Sequence, residues 1–305
     1  MLESIAHPFI NKLISAAQSS GDLFLLSEVC LGGELSVLLL GKKAIHRARR
    51  ANIHRGAGSR AARFGHVPYA RAGGVSDEAA RFYVASVVSV LSYLHRQLIV
   101  YRDLKPENLM LDAQGYLKLV DFGFAKVLTP GSGFRTFTFC GSLQYLSPEM
   151  IGSRRGHSFG VDWWALGIFA FECLAGVTPF QHKSQMHMLR NILHGQFRWP
   201  ETKHFSAEAR DLISRLLEVE AWRRLGCLHA GSHDVRSHAW FEGLSFHELQ
   251  AKRVPPPLVP MVQKGKGIEA NFPESFEHEG GIGKRDWPLE DFPEELFADW
   301  SQEWV

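Results

Sequence analysis

Two short apolar runs lie near the start of the chain, 10–18 (INKLISAAQ) and 22–29 (DLFLLSEV), separated by Ser19-Ser20-Gly21. Turn formers between strand-like runs predict a β-hairpin. After Gly32-Gly33 comes a shorter apolar piece, ELSVLLL, and then a stretch without periodicity up to Gly74. From Ser76 the pattern changes to a helical period: a cap residue and two acids open it, which suits a helix N-terminus. Phe82, Ala85, Val88 and Leu91 form one apolar stripe and Tyr83, Val87, Val90 and Leu94 a second. Two stripes are too broad for a surface helix, so this one is expected to be central and buried. LMLD and YLKLVD, joined by Ala113-Gln114-Gly115, predict a second hairpin, and VDWWALGIFAFECLAG, apolar nearly all round, a second buried helix. Helical periodicity also covers SQMHMLRNILHG and SAEARDLISRLLEVE. From Gly243 onward Pro, Glu and Phe accumulate with little periodicity, which predicts a tail laid over a surface rather than another domain.

Composition narrows the class. A chain of 305 residues with 45% apolar side chains can bury a substantial core in one or two domains. No apolar run reaches the roughly 18 residues needed to cross a bilayer, and MLESIAHPFI has neither the basic start nor the apolar stretch of a signal peptide. A soluble, cytoplasmic protein is expected. Cys30, Cys140, Cys173 and Cys227 stand without C-x-x-C spacing, so neither a zinc site nor a disulfide framework is indicated. The net charge of +2 hides an uneven distribution, because 41–74 holds nine Lys or Arg and no Asp or Glu. Such a basic stretch could bind nucleic acid or acidic membranes, but it lacks the aromatic interleaving of a stacking platform and reads as a solvated, disordered loop. Neither partner is expected through it.

Candidate chemistry concentrates in Tyr101-Arg102-Asp103-Leu104-Lys105-Pro106-Glu107-Asn108, followed thirteen residues after Asn108 by Asp121-Phe122-Gly123. Asp-Phe-Gly alone is ordinary turn sequence. In this order, with the predicted hairpin between them, the two strings resemble the catalytic loop and metal-binding element of protein kinases. Phosphoryl transfer from ATP needs an oriented hydroxyl, Mg²⁺ between the phosphates and positive charge near the moving group. The resemblance implies Asp103 as acceptor of the substrate hydroxyl proton and Lys105 beside the transferring phosphate. Asn108 and Asp121 offer the oxygen ligands that a hard cation such as Mg²⁺ takes.

Further positions follow from the same resemblance. The segment from Thr136 to Ser142 and the closing Ser147-Pro148-Glu149 look like an activation segment, with Ser147 where relatives carry Ala. Thr138 falls at the activation phosphosite, set by an upstream kinase, and its phosphate is expected to meet Arg102 and Lys126. Glu149 is expected to pair with Arg224, and Asp162 to hold the catalytic-loop backbone from below. Glu28 and Cys30 fall where main-chain groups meet adenine, with Glu34 grouped with them as nucleotide-facing and Ser27 guarding the back of that pocket. Glu34, Glu107 and Glu172 match carboxylates that contact basic residues upstream of the phosphorylated Ser or Thr, so protein substrates with Arg or Lys there are implied. Gln144 stands where many relatives have Glu. Phe139, Leu143 and Leu146 are expected to line an apolar pocket for the residue after the phosphoacceptor.

EVCLGGEL, YRDLKPENLMLD, GYLKLVDFGFAK and HAWFEGLSFHEL most resemble cyclic-GMP-dependent kinases of the AGC group, with the cyclic-AMP-dependent enzymes close behind. The implied fold is α+β and protein-kinase-like: mainly the helical C-terminal lobe, with a remnant β-hairpin of the N-terminal lobe. The kinase domain is expected over 1–241, with the basic insert at about 40–74. The AGC C-terminal extension is expected over 242–305, with Phe297 and Trp300 as candidate anchors. Besides Ser147 and Gln144, the sequence departs from the pattern in lacking a G-x-G-x-x-G loop, a V-A-I-K lysine and the helix-C glutamate. Loss of one preorganised electrostatic donor typically costs about 10²- to 10³-fold in rate. The expected function is therefore Ser/Thr phosphorylation by family, inactive or severely impaired in this chain; the alternative is a non-catalytic scaffold that docks basic peptides.

Overall fold

The N-terminal apolar runs pair as antiparallel β1 (Leu13–Gln18) and β2 (Leu23–Ser27), with Ala16 opposite Leu25. This is a computed structural model, and it describes residues 4–18, 23–40, 74–152, 155–201 and 205–260. The turn expected at Ser19-Ser20-Gly21, the basic stretch 41–73 and the tail 261–305 with Phe297 and Trp300 lie outside the described residues. ELSVLLL divides into β3 (Gly33–Glu34) and α1 (Leu35–Leu40).

The two-striped segment is α2 (Asp77–Arg96), started by Ser76, whose hydroxyl accepts the Ala79 N–H at 3.2 Å. Every residue of both stripes is buried. The second hairpin forms as expected from β5 (Leu109–Leu111) and β6 (Leu117–Leu119), and β3 adds to it in the order β3-β5-β6. Asp112 Oδ1 accepts the N–H groups of Gln114 and Tyr116, both at 2.9 Å, which closes the turn between them. A separate pair, β4 (Ile99–Val100) and β7 (Lys126–Val127), brackets the stretch that holds the candidate chemistry.

The remaining elements are helical. α3 (Pro148–Gly152) leads to α4 (Gly160–Ala175), all sixteen of whose residues are buried. α5 (Gln185–Leu193), α6 (Ala207–Leu216), α7 (Ser232–Arg236) and α8 (Phe246–Gln250) complete the helices, and one apolar core joins α2, α4 and α6. Past α8 the backbone crosses the β5–β6 hairpin. There the Tyr116 hydroxyl donates to the carbonyls of Lys252 at 2.6 Å and Val254 at 3.0 Å, and Lys252 Nζ donates to Asp112 at 2.8 Å. Among the described residues no helix is long and apolar enough to cross a membrane.

Close packing of α4 on α6 requires Gly167. A methyl group built there would stand 2.9 Å from Leu216 Cβ and from Leu217 Cδ2. Alanine would gain about 0.5–1 kcal/mol of helix propensity, yet overpacking a dense core costs about 1–3 kcal/mol. Gly167→Ala is therefore expected to lower the urea midpoint with an unchanged slope. A midpoint at or above that of the parent chain would show that the two helices separate without cost.

Candidate active site

The loop between β4 and the 3₁₀ turn Pro106–Asn108 carries a conformation that needs external support. Arg102 has φ 71°, a left-handed geometry uncommon for a side chain of this size. Support comes from Asp162 in the first turn of α4. Its Oδ1 accepts the Arg102 N–H at 2.8 Å, and its Oδ2 accepts the Tyr101 N–H at 2.9 Å. His95, near the end of α2, places Nε2 2.8 Å from the same Oδ2. Asp162 is fully buried, so three short donors replace the water it lost.

Above this clamp Asp103 is 3% exposed and surrounded by donors. Lys105 Nζ donates to its Oδ2 at 2.7 Å, Asn108 Nδ2 donates to the same oxygen at 2.8 Å, and the Ser142 hydroxyl donates to Oδ1 at 3.1 Å. Lys105 also reaches Ser142 Oγ at 3.0 Å, which ties the activation segment to the loop. That approach depends on Gly141, at φ 96°, where a Cβ would meet the Arg102 carbonyl oxygen at 2.7 Å. The sequence reading gave Ser142 no role; nothing local marks a serine 39 residues from its partner.

The second hairpin brings Asp121 to the same place. Leu109 stands opposite Leu119, and the Val120 N–H donates to the Asn108 carbonyl at 3.0 Å, so Asp121 begins where Asn108 ends. Asp121 is exposed, with φ 54°, and its Oδ1 accepts the Gly123 N–H at 2.9 Å. Asn108 donates through Nδ2 to both the backbone and the side chain of Asp103, which leaves its amide oxygen as the ligand atom. A carboxylate and an amide oxygen suit a hard divalent cation.

The three carboxylates expected to meet basic substrate residues lie close together in electrostatic terms. Glu34 and Glu172 are buried, while Glu107 is exposed and lies within electrostatic reach of both. Ser36 Oγ donates to Glu34 Oε2 at 2.8 Å, and the Tyr145 hydroxyl donates to Glu172. Burial first, then the charge of Glu107, raises the Glu172 carboxyl to about 8, against the opposing effect of the Tyr145 bond. At the expected nucleotide edge, the Glu28 N–H already donates to the Lys12 carbonyl at 3.0 Å, and its side chain accepts from Lys118. A base would therefore meet its carbonyl oxygen. Cys30 is buried, its thiol raised to about 11 chiefly by burial and then by Glu28.

The activation segment matches expectation in part. Arg224, fully buried, grips Glu149 with two bonds of 2.7 and 3.0 Å and donates to the carbonyls of Gly160, Glu218 and Val219. Arg102 and Lys126 do converge, but on Thr136 Oγ1, at 3.5 and 3.2 Å; Thr138 is exposed. Phe139 is exposed, Leu143 is half-buried and Leu146 is covered.

Comparison with known proteins agrees with this geometry. The model of the protein kinase domain matches residues 1–241. The chain is 40% identical over 279 residues to the cAMP-dependent protein kinase catalytic subunit of Dictyostelium discoideum, covering 92% of this chain and 37% of that protein. It is 37% identical to the mouse cAMP-dependent protein kinase catalytic subunit PRKX, covering 90% of this chain and 68% of the relative. Human cGMP-dependent protein kinase 2 is 39% identical over 85% of this chain and 30% of its own length. These identities do not favour the cyclic-GMP-dependent kinases over the cyclic-AMP-dependent ones. The chain thus spans roughly a third of two of these relatives and about two thirds of the other. With the matched domain, the Asp103 site and these relatives in agreement, the chain belongs to the protein kinase family and sits with its AGC Ser/Thr members.

Proposed function

We propose that this chain carries the catalytic floor of a Ser/Thr protein kinase, which moves the γ-phosphoryl group of ATP to a hydroxyl in a protein substrate with basic residues upstream. The observation that carries this is the state of Asp103: a buried carboxylate held by Lys105, Asn108 and Ser142 on a loop clamped by Asp162. A carboxylate so oriented accepts the proton of an incoming serine or threonine hydroxyl. Lys105, 2.7 Å from it, puts positive charge beside the group in flight. Asn108 and Asp121 would hold Mg²⁺, whose charge would offset that of the phosphate oxygens. Glu28, Cys30 and Glu34 border the nucleotide, and the family's use of ATP supports that assignment.

Glu34, Glu107 and Glu172 form the acceptor for substrate arginine. Their mutual proximity supports this, because Glu34 raises Glu107 and Glu107 raises Glu172, even with Lys105 acting against this at Glu107, and a guanidinium relieves the repulsion. Among the 305 residues no G-x-G-x-x-G loop or V-A-I-K lysine stands, so this stretch by itself is expected to turn over slowly. That same feature favours a second reading, a kinase-like module that docks basic peptides without transfer.

A single-turnover assay separates the two. With radiolabelled ATP, Mg²⁺ and a serine peptide bearing upstream arginines, slow transfer is expected, and Asp103→Asn should reduce it by roughly 10²- to 10⁴-fold. Transfer indifferent to Asp103→Asn would overturn the proposed role of Asp103. Peptide binding with no transfer at all would establish the docking module instead.

The acids make a second measurement available. With its carboxyl at about 8, Glu172 is mostly protonated at pH 7, and an arginine beside it favours the ionised form. Peptide binding should therefore release a proton, and affinity should rise as pH increases from about 7 to 9. Calorimetry in two buffers of different ionisation heat reads the proton directly. Glu172→Gln, which keeps an acceptor for Tyr145, should abolish the release; binding without proton exchange in the parent chain would place the arginine elsewhere.

A further inference from the structure

At the base of the activation segment, three stretches of chain bring basic side chains to one threonine. Arg102 Nη1 and Lys126 Nζ both donate to Thr136 Oγ1. Thr136 is in turn bridged to His157 by two reciprocal backbone bonds, each 2.9 Å. Residues directly opposite in an antiparallel bridge send their side chains to the same side. The imidazole therefore stands on the face where the two cations meet. Thr136 and His157 are 1% and 4% exposed, and among the described residues no group hydrogen-bonds the buried His157 Nε2. A buried ring nitrogen with no partner is costly and calls for an explanation.

The charges around that ring give one. Arg102, Lys126, Glu149 and Asp162 all act on it, and burial first, then Arg102, holds it below the usual histidine range. Glu149 and Asp162 act in the opposite direction, yet neither hydrogen-bonds the ring, so among the described residues Nε2 stays without a partner on the face where the two cations meet. Thr136 cannot supply one by modification, being covered, whereas Thr138 is exposed and only two residues, at most about 7 Å of chain, further on.

We infer that His157 is the third ligand, with Arg102 and Lys126, for a phosphate carried by Thr138. This rests on reading Thr138 as the activation phosphosite. In the modifying step an upstream kinase forms a bond between Thr138 Oγ1 and the γ-phosphorus of ATP as the β–γ bridging P–O bond breaks. ADP leaves, and the hydroxyl proton passes to solvent through that kinase's base. The product carries a charge of about −1.5 to −2 and three acceptor oxygens. Two cations and one imidazole N–H match that number of oxygens, and as the phosphate docks His157 takes up a proton that the unmodified site discourages. His157 is thus a positioning residue: it fixes the activation segment against the loop that holds Asp103.

The test uses the full chain with phosphothreonine installed at position 138 by genetic-code expansion. Phosphate release by a broad-specificity phosphatase is followed by ³¹P NMR, and the imidazole of His157 by its ¹⁵N resonances. His157→Phe is expected to speed release about tenfold, the scale of one charge-assisted hydrogen bond. His157→Gln, which retains an N–H donor, should stay within about twofold of the parent. In the parent chain the His157 titration midpoint should rise by about one pH unit or more on phosphorylation, a reading that needs no substitution and so does not depend on a variant folding. Release at the parental rate in His157→Phe, or an unmoved midpoint, overturns the inference. Arg102→Ala discriminates the cause: if it too leaves release unchanged, the phosphosite reading of Thr138 has failed; if it alone speeds release, only the role of His157 has.

Discussion

Much of the site depends on one buried carboxylate holding one backbone conformation. Arg102 sits at φ 71°, which for a non-glycine residue costs on the order of 1–3 kcal/mol and persists only where its surroundings dictate it. Asp162 dictates it, with one oxygen for each of two successive N–H groups and His95 satisfying the remainder. The residue holding the loop lies on α4, the most deeply buried helix, whose neighbours are close-packed aromatics and leucines. Catalytic-loop geometry is therefore inherited from the hydrophobic core. Shifting α4 would move Arg102, and with it the orientation of Asp103.

A second buried ion pair extends the same logic to the activation segment. Arg224 would be expensive to bury unless all its donors were met. It meets them with Glu149, three backbone carbonyls and the face of Trp164, 5.1 Å from its guanidinium carbon. Glu149 ends the activation segment and Ser142 stands seven residues before it, hydrogen-bonded to Asp103. The segment is thus fixed at its C-terminal end by an ion pair on the core and in its middle by Asp103. Between Thr136 and Ser142 it presents Phe137, Thr138 and Phe139 to solvent.

The elements with strong periodicity were legible in the sequence because periodicity reports burial directly. The doubled stripe of 76–95 and the unbroken apolar run of α4 each specify a helix with no polar face, and a helix of that kind has only the interior to occupy. The loop chemistry was legible for a different reason: Asp103, Lys105 and Asn108 lie within six residues of one another, and the hairpin that returns Asp121 is short. What escaped was cross-chain. Ser142 reaches Asp103 over 39 residues and Lys105 over 37, and neither periodicity nor a local motif encodes those distances. The convergence of Arg102 and Lys126 was anticipated, but not that it falls on Thr136. That outcome follows from the Thr136–His157 bridge, a pairing of two isolated residues with no strand pattern on either side. The small β3 strand was hidden for a similar reason, since two residues beside a short helix carry no alternation to detect.

The distribution of charge around the loop completes the physical picture. Acids occupy one side, Glu34, Glu107 and Glu172, close enough that burial and mutual repulsion keep Glu172 protonated near neutrality. Cations and a suppressed imidazole occupy the other, Arg102, Lys126 and His157. Each group brings like charges together, where each raises the energy of its neighbour, with Lys105 acting against the acids and Glu149 and Asp162 acting on the imidazole against the cations. Folding alone does not reward such an arrangement. Under the proposed function an opposite charge would make it favourable, a guanidinium on one side and a phosphate on the other, and Arg102 and Glu107, one from each group, stand on the loop that carries Asp103. Lys105, next to Glu107 in electrostatic terms and bonded to Ser142 of the activation segment, belongs to both. On the proposed roles, neutralising either side would change the field at Asp103, and substrate docking and loop modification would then act on one carboxylate with no movement of the core required.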